Sequence, residues 1–180
     1  MSPEHGEYEV EERARHVIDA IAERRSIRSF TDKPVSLDLL KRLIIAAKWA
    51  PTGSDRQQWK YIIINDPGTL KKIVMASPLL RGKPSAAILI CLEKAVGPAS
   101  DMGFPAQNIM LVAHALGVGS CAIGAFSPTA MRKILDIPEE LVPTLLIALG
   151  YAADTPKPWP RRLWSETVFL NSCNSPLEEA

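Results

Sequence analysis

The 180-residue chain has a formal charge of +1, with 47% hydrophobic and 23% charged residues. That is ordinary globular composition, long enough for one domain with a full core or for half of an obligate dimer. The near-zero charge excludes a global field that would recruit nucleic acid or an anionic membrane, so any anion site must be local. Three cysteines, Cys91, Cys121 and Cys173, form no C-x-x-C pair, which excludes a disulfide framework or an iron–sulfur cluster and fits a reducing cytoplasm.

The segment "MSPEHGEYEVEE" is acidic and polar and does not read as a signal peptide; residues 1–7 are expected to be disordered. The 3.6-residue spacing of Val10, Ala14, Val17, Ile18 and Ile21 predicts a first helix from about Tyr8 to Arg24. After "SFTDKPVS", Ser36 caps a second helix with the stripe Leu39, Leu40, Leu43, Ile44 and Ala47. "APTGSDRQQW" follows as a loop, "KYIII" as a strand, and "DPGTLKKIV" as a helix with Asp66 as cap and Pro67 at its first position. "AAILICL" is continuously apolar, the pattern of a strand buried on both faces. Residues 103–116 predict a helix that is hydrophobic nearly all round, suited to a protein centre or a dimer interface. "GVGSCAIGAF" and "TLLIALGY" read as strands, separated by a short helix capped by Ser127, and "DTPKPWPRR" leads into the tail. No apolar run is long enough to span a bilayer. The interleaving lacks a regular βαβ rhythm, so the expected class is α+β or irregular α/β in a single domain, 1–180.

Neither G-x-G-x-x-G after a strand, nor a Walker loop, nor G-x-S-x-G occurs. His5, His16 and His114 are isolated, and His114 reads as a core histidine. What remains are polar clusters at element junctions: "ERRSIRSF", "PTGSDRQQW", "GSCAIGAF" and "PKPWPRR". The first has two readings. Arg24 and Arg25 can complement the dipole at a helix end, or the guanidinium forks with Ser26 and Arg28 can grip an anion such as a phosphate. Arg161 and Arg162 form a second basic pair, and two pairs that converged would clamp a dianion.

Taken together and in order, "ERRSIRSFTDKPVS", "APTGSDRQQW", "DMGFPAQNIMLVAHALGVGSCAIGAF" and "ALGYAADTPKPWPRR" resemble the nitroreductase family of FMN-dependent oxidoreductases. The resemblance implies an α+β fold, with a mostly antiparallel central sheet flanked by helices in an interlocked homodimer. It implies FMN bound at the subunit interface, with the helix around Met110 as interface core and residues 165–180 packing on the partner subunit. Arg24, Arg25 and Ser26 match the part of the family motif that holds the phosphate, and Arg28 the part that approaches the flavin pyrimidine edge. Asp55 and Gln57 fall in the second motif, and Ile123, Gly124 and Ala125 in the segment beside flavin N5. Arg161 and Arg162 match the motif that completes the phosphate site. The implied activity passes hydride from NADH or NADPH through flavin N5 to a small electrophilic acceptor, a nitroaromatic or quinone, by ping-pong exchange. No protein side chain is required as acid or base, and no catalytic residue or metal is expected. A non-catalytic flavin-binding or flavin-storage protein of the same fold is the alternative.

Two positions depart from the pattern. Asp55 stands where the family commonly has Asn, and Gln58 where it has Pro. An amide can donate to the flavin carbonyls, whereas an ionised carboxylate only accepts. The chain also lacks a long insertion; "MASPLLRGKPS" is the one comparable stretch, which predicts a shallow pocket or one closed by a partner. Trp59 is expected in the core, and Trp159 and Trp164 near the interface or flavin.

Overall fold

The computed structural model describes the backbone of residues 3–94 and 99–178. Helix α1 spans Pro3–Glu23, α2 Leu37–Lys48, α3 Pro67–Met75, α4 Gly103–Ala115, α5 Pro128–Leu135 and α6 Trp164–Thr167; strands are β1 Trp59–Ile64, β2 Ala86–Glu93, β3 Gly119–Ile123 and β4 Leu141–Gly150. The expected helix start is corrected: α1 begins at Pro3, so residues 3–7 are helical, and residues 1 and 2 lie outside the described residues.

The strands form one antiparallel sheet in the order β1-β2-β4-β3. Strand β2 is central and alternates between two cores. Ala86, Ile88, Ile90 and Leu92 face α2 and α4, whereas Ala87, Leu89 and Cys91 face α3 and α5. Burial on both faces accounts for its unbroken apolar run. Between Ile90 and Cys91 the register shifts against β4. The shift skips Thr144, next to Pro143, which has no N–H to give a ladder.

The helix caps form as the sequence predicts. The Ser36, Asp66 and Ser127 side chains accept from the backbone N–H groups of Leu39, Thr69 and Ala130. Helix α4 takes the first of its two expected places, the protein centre. Ile109, Met110 and Ala113 are buried within the chain itself, against the sheet and α2, and Phe104 is exposed. The sheet and α2 of the same chain bury that side of the helix.

The unpartnered apolar surface lies elsewhere. Val17, Ile18 and Ile21, the stripe expected to face a core, are 58%, 62% and 53% exposed on α1. Trp59 is buried as expected.

Candidate functional site

The segment after α1 is drawn into the sheet. Ser26 bridges Ser120 of β3, the Ile27 N–H donates to the Ser120 carbonyl at 2.9 Å, and Phe30 bridges Ala152. Beyond it, the Thr31 N–H donates to Tyr151 and the Ala153 N–H to Ser29. The chain therefore covers the open edge of β3 and carries the "RRSIR" residues along it. Two glycines make room. A Cβ on Gly119 would lie 2.8 Å from Ile27 Cγ1, and one on Gly150 would lie 2.7 Å from Phe30 Cδ1.

Two clefts flank this segment. The first, of about 220 Å³, is lined by residues that include Arg24, Arg25, Ser120, His114, Glu23 and Thr155. Two of its polar atoms, Arg24 Nη1 and Ser120 Oγ, are buried and lack a hydrogen-bond partner among the described residues. Buried polar groups rarely stay unpaired, so this pair is a donor set waiting for an acceptor. Arg25 behaves differently. Its Nη1 donates to the carbonyls of Ala22, at 2.6 Å, and Arg24, at 2.9 Å, capping the end of α1. The two readings of the arginine pair thus divide between its members: Arg25 serves the helix end and Arg24 is left for an anion.

His114 is not a core histidine. It is half-exposed on the cleft lining, with Nε2 3.9 Å from Glu23 Oε2. The apolar α4 sequence points to an inside position, whereas His114 sits on the last turn of the helix and lines the cleft. Ser120 was missed altogether, read only as part of a strand; its signal was the Gly119-Ser120 pair, a small residue followed by a hydroxyl at an edge.

The second cleft, of about 460 Å³, is lined by residues that include Arg28, Cys121, Ile123, Gly124, Arg81 and Trp159. A Cβ on Gly124 would meet nothing, so the backbone there faces open space. Ala125 follows at the exposed turn. Arg28 is exposed, and its one hydrogen bond among those described is a long one, from Nη1 to the Ser26 carbonyl at 3.4 Å. Cys121 is buried, and desolvation raises its thiol pKa against the opposing pull of Arg28 and Arg24.

The remaining expected residues are not brought to either lining. Asp55 and Gln57 lie in the turn between α2 and β1, exposed, with Gln57 Nε2 donating to Asp55 Oδ1 at 3.0 Å. Ser54, Asp55 and Gln57 all have positive φ, of 53°, 52° and 46°. Three left-handed non-glycine residues in four positions store strain, which persists where surroundings hold it. On either side of the turn, Trp59 Nε1 and Thr52 Oγ1 donate to the Asp101 carbonyl and carboxylate. Arg161 and Arg162 are exposed and line neither cleft. Trp159 reaches the second cleft; Trp164 does not.

An antiparallel sheet between two helical layers, with a basic segment stitched to its edge between two clefts, defines an α+β ligand-binding fold. The model of the nitroreductase family matches residues 21–77 and 92–151. A protein of Methanothermobacter thermautotrophicus, provisionally named an NADH dehydrogenase/NAD(P)H nitroreductase, is 34% identical over 151 residues, covering 78% of this chain and 79% of that protein. The oxygen-insensitive NADPH nitroreductase of Salmonella typhimurium is 28% identical, over 90% of this chain and 76% of that one. Among solved structures, an FMN-dependent nitroreductase of Clostridium difficile superposes with a TM-score of 0.78 at 26% identity, covering 86% of this chain and 99% of that one. The chain belongs to the nitroreductase family and is an oxidoreductase.

Proposed function

We propose that this chain is an FMN-dependent oxidoreductase that draws hydride from NADH or NADPH and delivers it to a small electrophilic acceptor, a quinone or nitroaromatic. The observation that carries the reading is the buried, unpartnered pair Arg24 Nη1 and Ser120 Oγ on one cleft beside the "RRSIR" segment. These groups fit a phosphate, and the unfilled space at Gly124 fits a flat ring close to backbone. When bound, FMN supplies two-electron transfer between a donor and an acceptor that use the same face in turn.

The protein's own residues bind and orient. Arg24, Ser26 and Ser120 hold the phosphate, with Arg25 adding its charge from the helix end. Arg161 and Arg162 are exposed and form no side-chain hydrogen bond or ion pair among the described residues, so they are available as the second basic pair. Arg28 supplies positive charge at the pyrimidine edge, where negative charge develops. Asp55 accepts from a ring N–H, oriented by the Gln57 amide. Ile123, Gly124 and Ala125 flank the reactive side. For a nitroarene, one NAD(P)H and one proton are consumed, giving the nitroso product, NAD(P)⁺ and water; for a quinone, the same inputs give the quinol.

The exposed Val17, Ile18 and Ile21 stripe supports a homodimer, with the tail from residue 165, including the exposed Phe169 and Leu170, packing on the second subunit. Initial rates measured against NADPH at several menadione concentrations test the alternation. Parallel double-reciprocal lines are expected, and lines that intersect would remove the ping-pong assignment.

A further inference from the structure

The second cleft contains a cation that the proposed flavin site does not use. Arg81 stands on the loop between α3 and β2, and neither it nor Arg28 forms an ion pair among the described residues. Among the described residues no carboxylate lines this cleft, in contrast to Glu23 in the first. The loop is held on both sides of Arg81. Leu80 is buried and its N–H donates to the Ser77 carbonyl at 2.9 Å. Gly82 has φ +78°, and a Cβ there would lie 2.4 Å from the Arg28 carbonyl oxygen. Only glycine permits that approach, which seats the loop directly on the Arg28 backbone. Leu79 and Trp159, both exposed, complete an apolar and aromatic wall around the two cations.

We infer that Arg81 determines acceptor specificity: this cleft selects a planar aromatic acceptor bearing a carboxylate, with the ring against Trp159 and the carboxylate on the Arg81 guanidinium. The inference rests on the proposed oxidoreductase reading and deepens it. With Arg28 committed to the cofactor, Arg81 is the remaining charge on the lining. A planar fork matches a carboxylate, an indole matches a ring, and an opening without carboxylates penalises neither.

The test compares 4-nitrobenzoate with nitrobenzene as acceptors, taking the ratio of their kcat/KM values in the FMN-loaded protein. The ratio cancels differences in flavin content between variants. Arg81→Gln is expected to lower it about tenfold, as loss of a charge-assisted contact in a partly open cleft should, and Arg81→Lys to keep most of it. An unchanged ratio in Arg81→Gln overturns the inference. So does a variant whose NADPH-to-NADH preference shifts while the acceptor ratio stays put, since Arg81 would then serve the donor. If the protein carries flavin but reduces neither acceptor, the oxidoreductase reading fails separately, and calorimetric titration with 4-nitrobenzoate still decides. Binding weakened about tenfold by Arg81→Gln supports the anion site; equal binding by both proteins refutes it.

Discussion

Arg24 and Arg25 are adjacent and chemically identical, yet their surroundings separate them. Arg25 spends its guanidinium on the carbonyls at the end of α1, whereas Arg24 keeps a buried Nη1 without a partner. Removing a charged donor from an anion costs about 1.5–3 kcal/mol, so Arg24→Ala should weaken FMN binding at least tenfold. Arg25→Ala should act chiefly on the helix end and weaken FMN less. Fluorescence titration of the apoprotein with FMN measures both, and equal losses would contradict the division. On the proposed reading, the Asp55 carboxylate opposes negative charge added to the flavin. Asp55→Asn is expected to raise the two-electron midpoint potential by about 30 mV, equivalent to roughly 1.4 kcal/mol, read by spectroelectrochemistry. A single-letter reading could nominate these residues through the family motif, but not Ser120 or Arg81. Their significance depends on Gly119, which admits the Ile27 side chain, and Gly82, which admits the Arg28 backbone, and that proximity is a tertiary fact.

At the scale of elements, the sheet and its caps were legible because each rests on a local rule. The continuous apolar run of β2 and the Ser36, Asp66 and Ser127 caps needed no knowledge of distant chain. Faces were less legible. The α1 stripe and the nearly all-apolar α4 both call for a partner surface, but α4 finds its own on the sheet and α2 while the α1 stripe stays exposed, because only topology says which helix lies on the sheet. The edge segment 26–31 is the element that joins fold to site. Gly119→Ala should push Ile27 outward, costing about 1–3 kcal/mol from overpacking and lowering FMN affinity along with the melting temperature.

Strand β2 also predicts a pH response. Burial holds the Cys91 thiol at a pKa of about 11, above its ordinary value of 9.0 and against the pull of Arg132. With the folded value raised, the contribution is fully present below pH 9 and is lost as pH rises from 9 through 11. Thermal melts of Cys91→Ala should therefore fall less steeply across that window than those of the unmodified chain. The melts compare slopes, so the packing cost of the substitution itself does not enter.

For the whole molecule, no described helix is long and apolar enough to cross a membrane, and α1 carries an exposed apolar stripe of Val17, Ile18 and Ile21. Ile18→Glu sits on an exposed face and should leave the fold intact while shifting sedimentation from dimer to monomer; an unchanged dimer would move the interface elsewhere. Arg161 and Arg162 line neither cleft of a single subunit, so the two basic pairs are not brought together there; their separation depends on tertiary structure, which a sequence of letters does not carry. The visible spectrum of the purified protein, incubated with FMN, desalted and then mixed anaerobically with NADPH or NADH, tests the central claim most directly. The account predicts flavin bands that persist through desalting and bleach on adding the reductant. Bands that persist but do not bleach with either nucleotide would contradict the enzyme and leave a flavin-binding protein, and no retained flavin would contradict the site itself.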